Sequence, residues 1–309
     1  MSAATAPGLL RRLGQDLVRH RTVYAMLLPV LAYFLVFHYV PICGAVIAFM
    51  DFNPAAGFSG SAWAGWDWFR QFFHGLYFDR LMVNTLLLNV YDILFGFPAP
   101  IVLALLMNEL TSMRFKQFVQ TVTYLPHFIS VVVVAGMVLD FMARDGVLTN
   151  IFVALGGTQD AIMNNPDWFR RVYVGSEIWQ SVGWGSIIYL AALAGINPSL
   201  YEAARIDGAN RWQQLIHITI PGLMPVVMTL LILRLGQLMT VGFEKIILLY
   251  NPSTYETADV ISTYVYRHGI LDANYSYAAA VGLFNSAIAL VLLVVANALS
   301  RRWSGNSIW

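Results

Sequence analysis

Six stretches of this 309-residue chain are each roughly twenty mostly apolar residues, the length a helix needs to cross a hydrocarbon core. They run near 23–47, 81–107, 118–139, 172–193, 223–247 and 277–299. Nothing else in the sequence limits the fold so tightly. Only 11% of the residues are charged, against about a quarter in soluble domains, so the chain lacks the charge to coat itself for water. Lipid leaves backbone N–H and C=O groups unsatisfied, which restricts spanning segments to helices or the strands of a closed barrel. These runs lack the alternation a barrel strand shows. The expectation is an all-α polytopic membrane protein with six transmembrane helices.

Arg11, Arg12, Arg19 and Arg21 precede the first apolar run as they would in a secretory signal. The run is much longer than the apolar core of a signal, and it reads as a retained first span. One domain follows: a cytoplasmic N-terminal segment over 1–22, a six-helix domain over 23–300 and a cytoplasmic tail over 301–309. With the N-terminus inside, ten of the 18 basic residues fall in inner loops or tails, with only four acids. Outer loops hold seven basic and twelve acidic residues. This bias places both termini in the cytoplasm. The outer loops are rich in aromatic residues such as Trp63, Trp168, Tyr255 and Tyr264, as in an interfacial belt or a docking surface for an external partner.

Several function classes are excluded. A net charge of +1 offers nothing to nucleic acid. Cys43 is the single cysteine, and the six histidines lie in different segments without ligand spacing, so no metal centre is expected. A P-loop needs a lysine after glycine, and neither Lys116 nor Lys245 has one. The chain is therefore expected not to be an enzyme and to bind no cofactor.

The loop between the fourth and fifth spans, residues 197–221, is unlike the others. Asn197 caps and Pro198 opens a short helix containing Glu202, Ala203 and Ala204. Gly208 ends it in a left-handed conformation. Asn210 caps a second short helix, which Pro221 separates from the fifth span. The small Ala203–Ala204 surface lets another protein approach closely.

This loop resembles the EAA motif of binding-protein-dependent ABC importer permeases. Glu202-Ala203-Ala204 is followed by three residues, Gly208, nine residues and Ile218-Thr219-Ile220-Pro221, with Ile220 in place of leucine as the departure from the pattern. The stretches 96–109, 114–130, 189–193 and 243–266, and the tail Asn306-Ser307-Ile308-Trp309, are similar to carbohydrate-importer permeases. Within those they resemble the subfamily that takes up polysaccharides or large oligosaccharides, the alginate importer among them. The resemblance covers residue 20 to the end. It implies a type I permease fold, with Glu202, Ala203, Ala204, Gly208, Ile218 and Pro221 seated on an ATPase. It further implies a second homologous permease, two ATP-binding subunits that hold ATP and Mg, an extracytoplasmic solute-binding protein, and the bacterial inner membrane. An ion-coupled secondary transporter, or an importer of another solute, is the alternative.

For the substrate path, Arg234, Gln237, Thr240 and Glu244 fall on one face if the fifth span is a continuous helix. Trp179, Gln180 and Trp184 on the fourth span add stacking and polar groups. Asp92 on the second span is a candidate for the same path or for an ion pair with Arg234, since a charge at that depth needs a partner or a water-filled cavity.

Overall fold

The structure is a computed structural model, and it describes residues 19–157, 159, 162–236, 239 and 242–304. The long elements are α1 (Arg21–Phe49), α3 (Phe78–Glu109), α7 (Pro166–Ala194), α9 (Arg211–Gly236) and α12 (Tyr275–Ser304). Between them lie α2 (Asp67–Phe73), α4 (Met113–Phe128), α5 (Val131–Phe141), α6 (Val147–Ala154), α8 (Pro198–Ile206), α10 (Phe243–Leu249) and α11 (Ile261–Tyr266). A two-residue ribbon pairs Met50–Asp51 antiparallel with Ala62–Trp63.

Four helices, α1, α3, α9 and the Tyr275–Ala298 part of α12, are long and apolar enough to cross a membrane, and α4 with α5 makes a fifth crossing if the bent pair is one span. The expected fourth span falls on α7, which has 29 residues and so is about 43 Å long at ~1.5 Å per residue. Its polar side chains keep it below the apolar threshold of the others. They are tolerated because α7 packs against α3, α4, α5, α9 and α10, which shield it from lipid.

Two expected spans are not continuous helices. The third bends by 100° between α4 and α5. Pro126 lies in a 3₁₀ turn there, and the Ser130 hydroxyl accepts from the Val133 N–H to start α5 afresh. The fifth stops at Gly236 and resumes as α10 at Phe243, with Gly242 between them at φ +62°. Two glycines thus bracket the interruption, and a Cβ on Gly242 would overlap the Tyr173 hydroxyl.

Three prolines sit inside long helices by a common device. A π-helical turn at Leu35–Tyr39, Asp92–Gly96 or Leu215–Thr219 ends two residues before Pro41, Pro98 or Pro221 respectively. Proline lacks an N–H and its ring crowds the carbonyl four residues back, and the wider turn places that carbonyl elsewhere. Pro221 therefore does not separate the loop from the fifth span, because α9 runs through it from Arg211.

The core is arranged along α7. Near its N-terminal end Phe169, Val172 and Tyr173 pack with Leu88, Ala135, Ile246 and Leu249. Near its C-terminal end Tyr189 and Leu193 pack with Ala104 and Leu223. At mid-length a Cβ on Gly183 would overlap the Thr123 carbonyl, so α4 rests directly on the α7 backbone. By contrast, α1 buries no residue along Arg21–Phe34 and meets the rest of the chain at its end, where Ala48 packs with Phe69 and Ala280.

Candidate coupling loop and translocation path

The loop between α7 and α9 is built from local hydrogen bonds. The Asn197 carboxamide oxygen accepts from the Ser199 N–H at 3.0 Å, with Pro198 at the first position of α8. At the other end Gly208 takes φ +80°, donating to Arg205 O at 3.1 Å while Ala209 donates to Ala204 O at 2.8 Å. That pair of bonds is a Schellman stop, which only a residue tolerant of positive φ makes without strain. Asn210 then opens α9 through a reciprocal capping box with Gln213, at 2.9 and 2.8 Å. Tyr201 pins the loop to the membrane helix by a 3.0 Å hydroxyl contact with buried Thr219.

What this scaffold presents is a surface. Glu202 and Ala203 are exposed and Ala204 is half-buried. Around them stand Leu200, Ile206 and Trp212, with Ile206 86% exposed. Such side chains on an otherwise polar face mark a contact site for another protein. Ile218 and Pro221 are placed differently: half-buried Ile218 lies in the π-turn of α9, and exposed Pro221 lies in the turn of α9 that follows it. A cavity of about 580 Å³ lies beside it, bordered by Asn108, Glu109, Tyr201, Glu202 and Arg211.

Midway through the helical body a second, buried constellation forms. Arg234, near the end of α9, grips Asp92 with two 2.7 Å hydrogen bonds, Nε to Oδ2 and Nη2 to Oδ1. The Asp92 side chain is 6% exposed and that of Arg234 40%. Beside them Lys245 of α10, buried, donates from Nζ to Glu177 at 2.9 Å and to Gln180 at 3.1 Å. Tyr173, Glu177, Asp92 and Arg234 lie within electrostatic reach of one another. The two ion pairs sit on either side of the interruption at Gly236–Gly242 and tie both of its ends to the body.

The path candidates separate accordingly. Asp92, Arg234 and Gln180 come together in this cluster. Gln180 also donates to the Ile129 carbonyl at 3.1 Å, at the bend between α4 and α5. Trp184 is 47% exposed and stacks on His127, with ring centroids 4.6 Å apart and planes 5° from parallel. Trp179 is five residues away, about 140° round α7, and lines an apolar groove with Phe141 and Trp168. Glu244 is exposed on α10. Because the fifth span is interrupted, Arg234 and Glu244 do not share one helical face as expected from a continuous helix. Gln237 and Thr240 lie outside the described residues, as do residues 1–18 and 305–309 of the terminal segments.

The sequence reading missed Glu177 and Lys245. Two signals were available: a lysine in a chain with only two of them, and glycines at 236 and 242 flagging the interruption. A further network joins α3 to the segment around α11. Buried Asp259 accepts from Arg267 at 2.7 Å and Arg80 at 3.4 Å. Burial opposes the Arg267 charge, and the Asp259 carboxylate overcomes it, so the guanidinium stays protonated above its ordinary pKa.

Comparison with known proteins agrees with this architecture. Residues 84–305 match the family model for the binding-protein-dependent transport system inner membrane component. The polygalacturonan/rhamnogalacturonan transport system permease protein YteP of Bacillus subtilis is 42% identical over 300 residues, 97% of this chain and 94% of that one. A crystal structure of a bacterial ABC transporter that imports the acidic polysaccharide alginate contains a chain with 47% identity and a TM-score of 0.89, over 95% of this chain and 99% of that one. The bacterial alginate ABC transporter in complex with a periplasmic protein carrying alginate pentasaccharide gives 46% and 0.88, over 96% and 100%. With most of the chain matched and the fold shared, this protein belongs to the binding-protein-dependent transport system inner membrane components, the membrane permeases of ABC importers.

Proposed function

We propose that this permease carries an oligosaccharide or polysaccharide across the bacterial cytoplasmic membrane. In this reading it pairs with a second permease, receives substrate from an extracytoplasmic binding protein, and is driven by two ATPase subunits that hold ATP and Mg. The observation that carries the coupling role is the inner loop itself: Glu202 and Ala203 stand exposed on a helix stopped by Gly208 and anchored by Tyr201. The relatives named above for alginate and polygalacturonan support a carbohydrate cargo. ATP binding to the ATPase subunits must favour one permease state over the other, and the loop is the element through which that difference reaches the membrane.

Ion-coupled transport fits less well. It needs a titratable group free to load and release a proton, whereas Asp92 is held by Arg234 and Glu177 by Lys245. Two measurements test the proposal. Cells carrying the whole transporter should accumulate a labelled oligosaccharide only while ATP is available, and a collapse of the proton gradient at constant ATP should leave uptake intact. Uptake that follows the proton gradient instead would overturn it. For orientation, exposed Cys43 is first replaced by serine. A cysteine at Ala55 should then react with an impermeant thiol reagent from outside and one at Arg205 should not; the reverse pattern would invert the topology.

A further inference from the structure

Arg170 is the fifth residue of α7, at the end away from the coupling loop. Unlike Arg80 and Arg267, it has no carboxylate partner among the described residues. Arg80 and Arg267 share Asp259, whereas Arg170 donates from Nη2 to the Asn84 carboxamide oxygen at 2.6 Å. Asn84 is itself fixed by donating to the carbonyls of Glu256 and Asp259, at 2.9 and 3.0 Å. The Arg170 Nε is enclosed and has no acceptor among the described residues, a state shared by one guanidinium nitrogen each of Arg80 and Arg267. A guanidinium held in place but not neutralised is costly beside a helical body in lipid, unless it faces water or an anion.

It faces a cleft. A cavity of about 800 Å³ is bordered by Arg170, Arg171, Trp168, Tyr91 and Thr257, with Asp167 at its edge. Arg171 lies over the Trp168 ring, its Cζ 5.0 Å from the ring centroid. Asp167 is exposed, and among the described residues it forms an ion pair with neither arginine. The cleft therefore combines a surplus of positive charge with flat aromatic faces. Seven residues further along α7 comes Glu177 of the central cluster, and after seven more Trp184, so the three share a face within about 40°. That face leads from the cleft to the middle of the membrane.

We infer that this cleft is a carboxylate-binding subsite of the import path, where Arg170 receives the carboxylate of a uronate residue of the incoming sugar chain. The planar guanidinium matches a carboxylate: with Nε enclosed and one Nη2 hydrogen taken by Asn84, the two Nη groups are the edge that can offer parallel donors to it. Tyr91 and Trp168 supply the apolar platform that a sugar ring needs. The inference rests on the carbohydrate reading above and adds the place at which an acidic sugar meets this chain. A lipid phosphate or an acid of a partner subunit would satisfy the same charge, but neither would make the role of Arg170 depend on the charge of the cargo.

That dependence is the test. Cells carrying the whole transporter are given a labelled uronate tetrasaccharide or the same tetrasaccharide made neutral by reducing its carboxyls. Losing one charge-assisted pair, Arg170→Gln should lower uptake of the acidic sugar about tenfold or more. Uptake of the neutral sugar should be unchanged, which also shows that the variant folds. Arg170→Lys should fall between. Should Arg170→Gln fail to reach the membrane, Arg171→Gln on the rim should still show a smaller loss confined to the acidic sugar. Equal losses for both sugars, or none for the acidic one, overturn the inference. If the unaltered protein imports the neutral sugar and refuses the acidic one, the subsite is wrong and the carbohydrate reading stands. If it imports neither, the carbohydrate reading itself falls and takes the subsite with it.

Discussion

The coupling loop and the mid-membrane cluster solve opposite problems with polar groups. In the loop, polar side chains satisfy the backbone close by: Asn197, Asn210 and Gln213 reach two or three residues along the chain. That leaves the outer face free for a partner. In the cluster, polar side chains satisfy each other across the fold, Arg234 with Asp92 over 142 residues and Lys245 with Glu177 over 68. The first arrangement builds a surface with little stake in stability. The second holds helices together and has much to lose if one member goes. Stability and transport should therefore respond in opposite order in the two regions.

The largest loss of stability is expected for Arg234→Met, which strands the buried carboxylate of Asp92. Removing one partner of a buried pair costs about 3–5 kcal/mol, and the 40% exposure of the Arg234 side chain puts this case near the lower end. Thermal unfolding of the purified chain should show it, and adding Asp92→Asn should restore part of the loss. A double variant no more stable than the single one would mean that the pair does not hold α3 to α9. Lys245→Met should cost less, about 1–2 kcal/mol, because Glu177 is 34% exposed and has access to water. An equal or greater loss than Arg234→Met would reverse the ranking of the two pairs. Glu202→Lys should move the unfolding temperature least, as a surface change worth about 0.5 kcal/mol or less. Yet it should abolish uptake while the complex remains in the membrane. Normal transport by this variant would show that the loop does not couple through Glu202.

The same contrast explains what the sequence revealed. Everything that shapes the loop lies within 25 residues, and each signal has one local meaning: proline after an asparagine cap, glycine at the stop, asparagine three residues before glutamine. The positions of the first, second and sixth spans followed from apolar runs alone, whereas the expected fourth span falls on the longer and more polar α7. The bend at Ser130 and the interruption at Gly242 did not, because an apolar run has the same composition whether its helix is straight or interrupted. Arg234 with Asp92 was legible as one of two readings, since two opposite charges in neighbouring spans invite pairing. Glu177 and Lys245 were not, because their meeting depends on how α10 folds back after the interruption. Arg170 gave no signal either. What distinguishes it from Arg80 and Arg267 is that no carboxylate among the described residues pairs with it, which only the folded chain displays.

The π-turn at Leu215–Thr219 has a consequence for the direction in which the loop faces. A π-turn holds one residue more than an α-turn, so it works as a phase shifter between the two lengths of helix it joins. Closing it to an ordinary turn by deleting one residue would swing everything N-terminal to it by about 100° around the axis of α9. The exposed face of Glu202 and Ala203 would then point along the membrane plane in a different direction, with every residue of the motif still present. The compass bearing of the loop is thus set by a single surplus residue at the root of the helix.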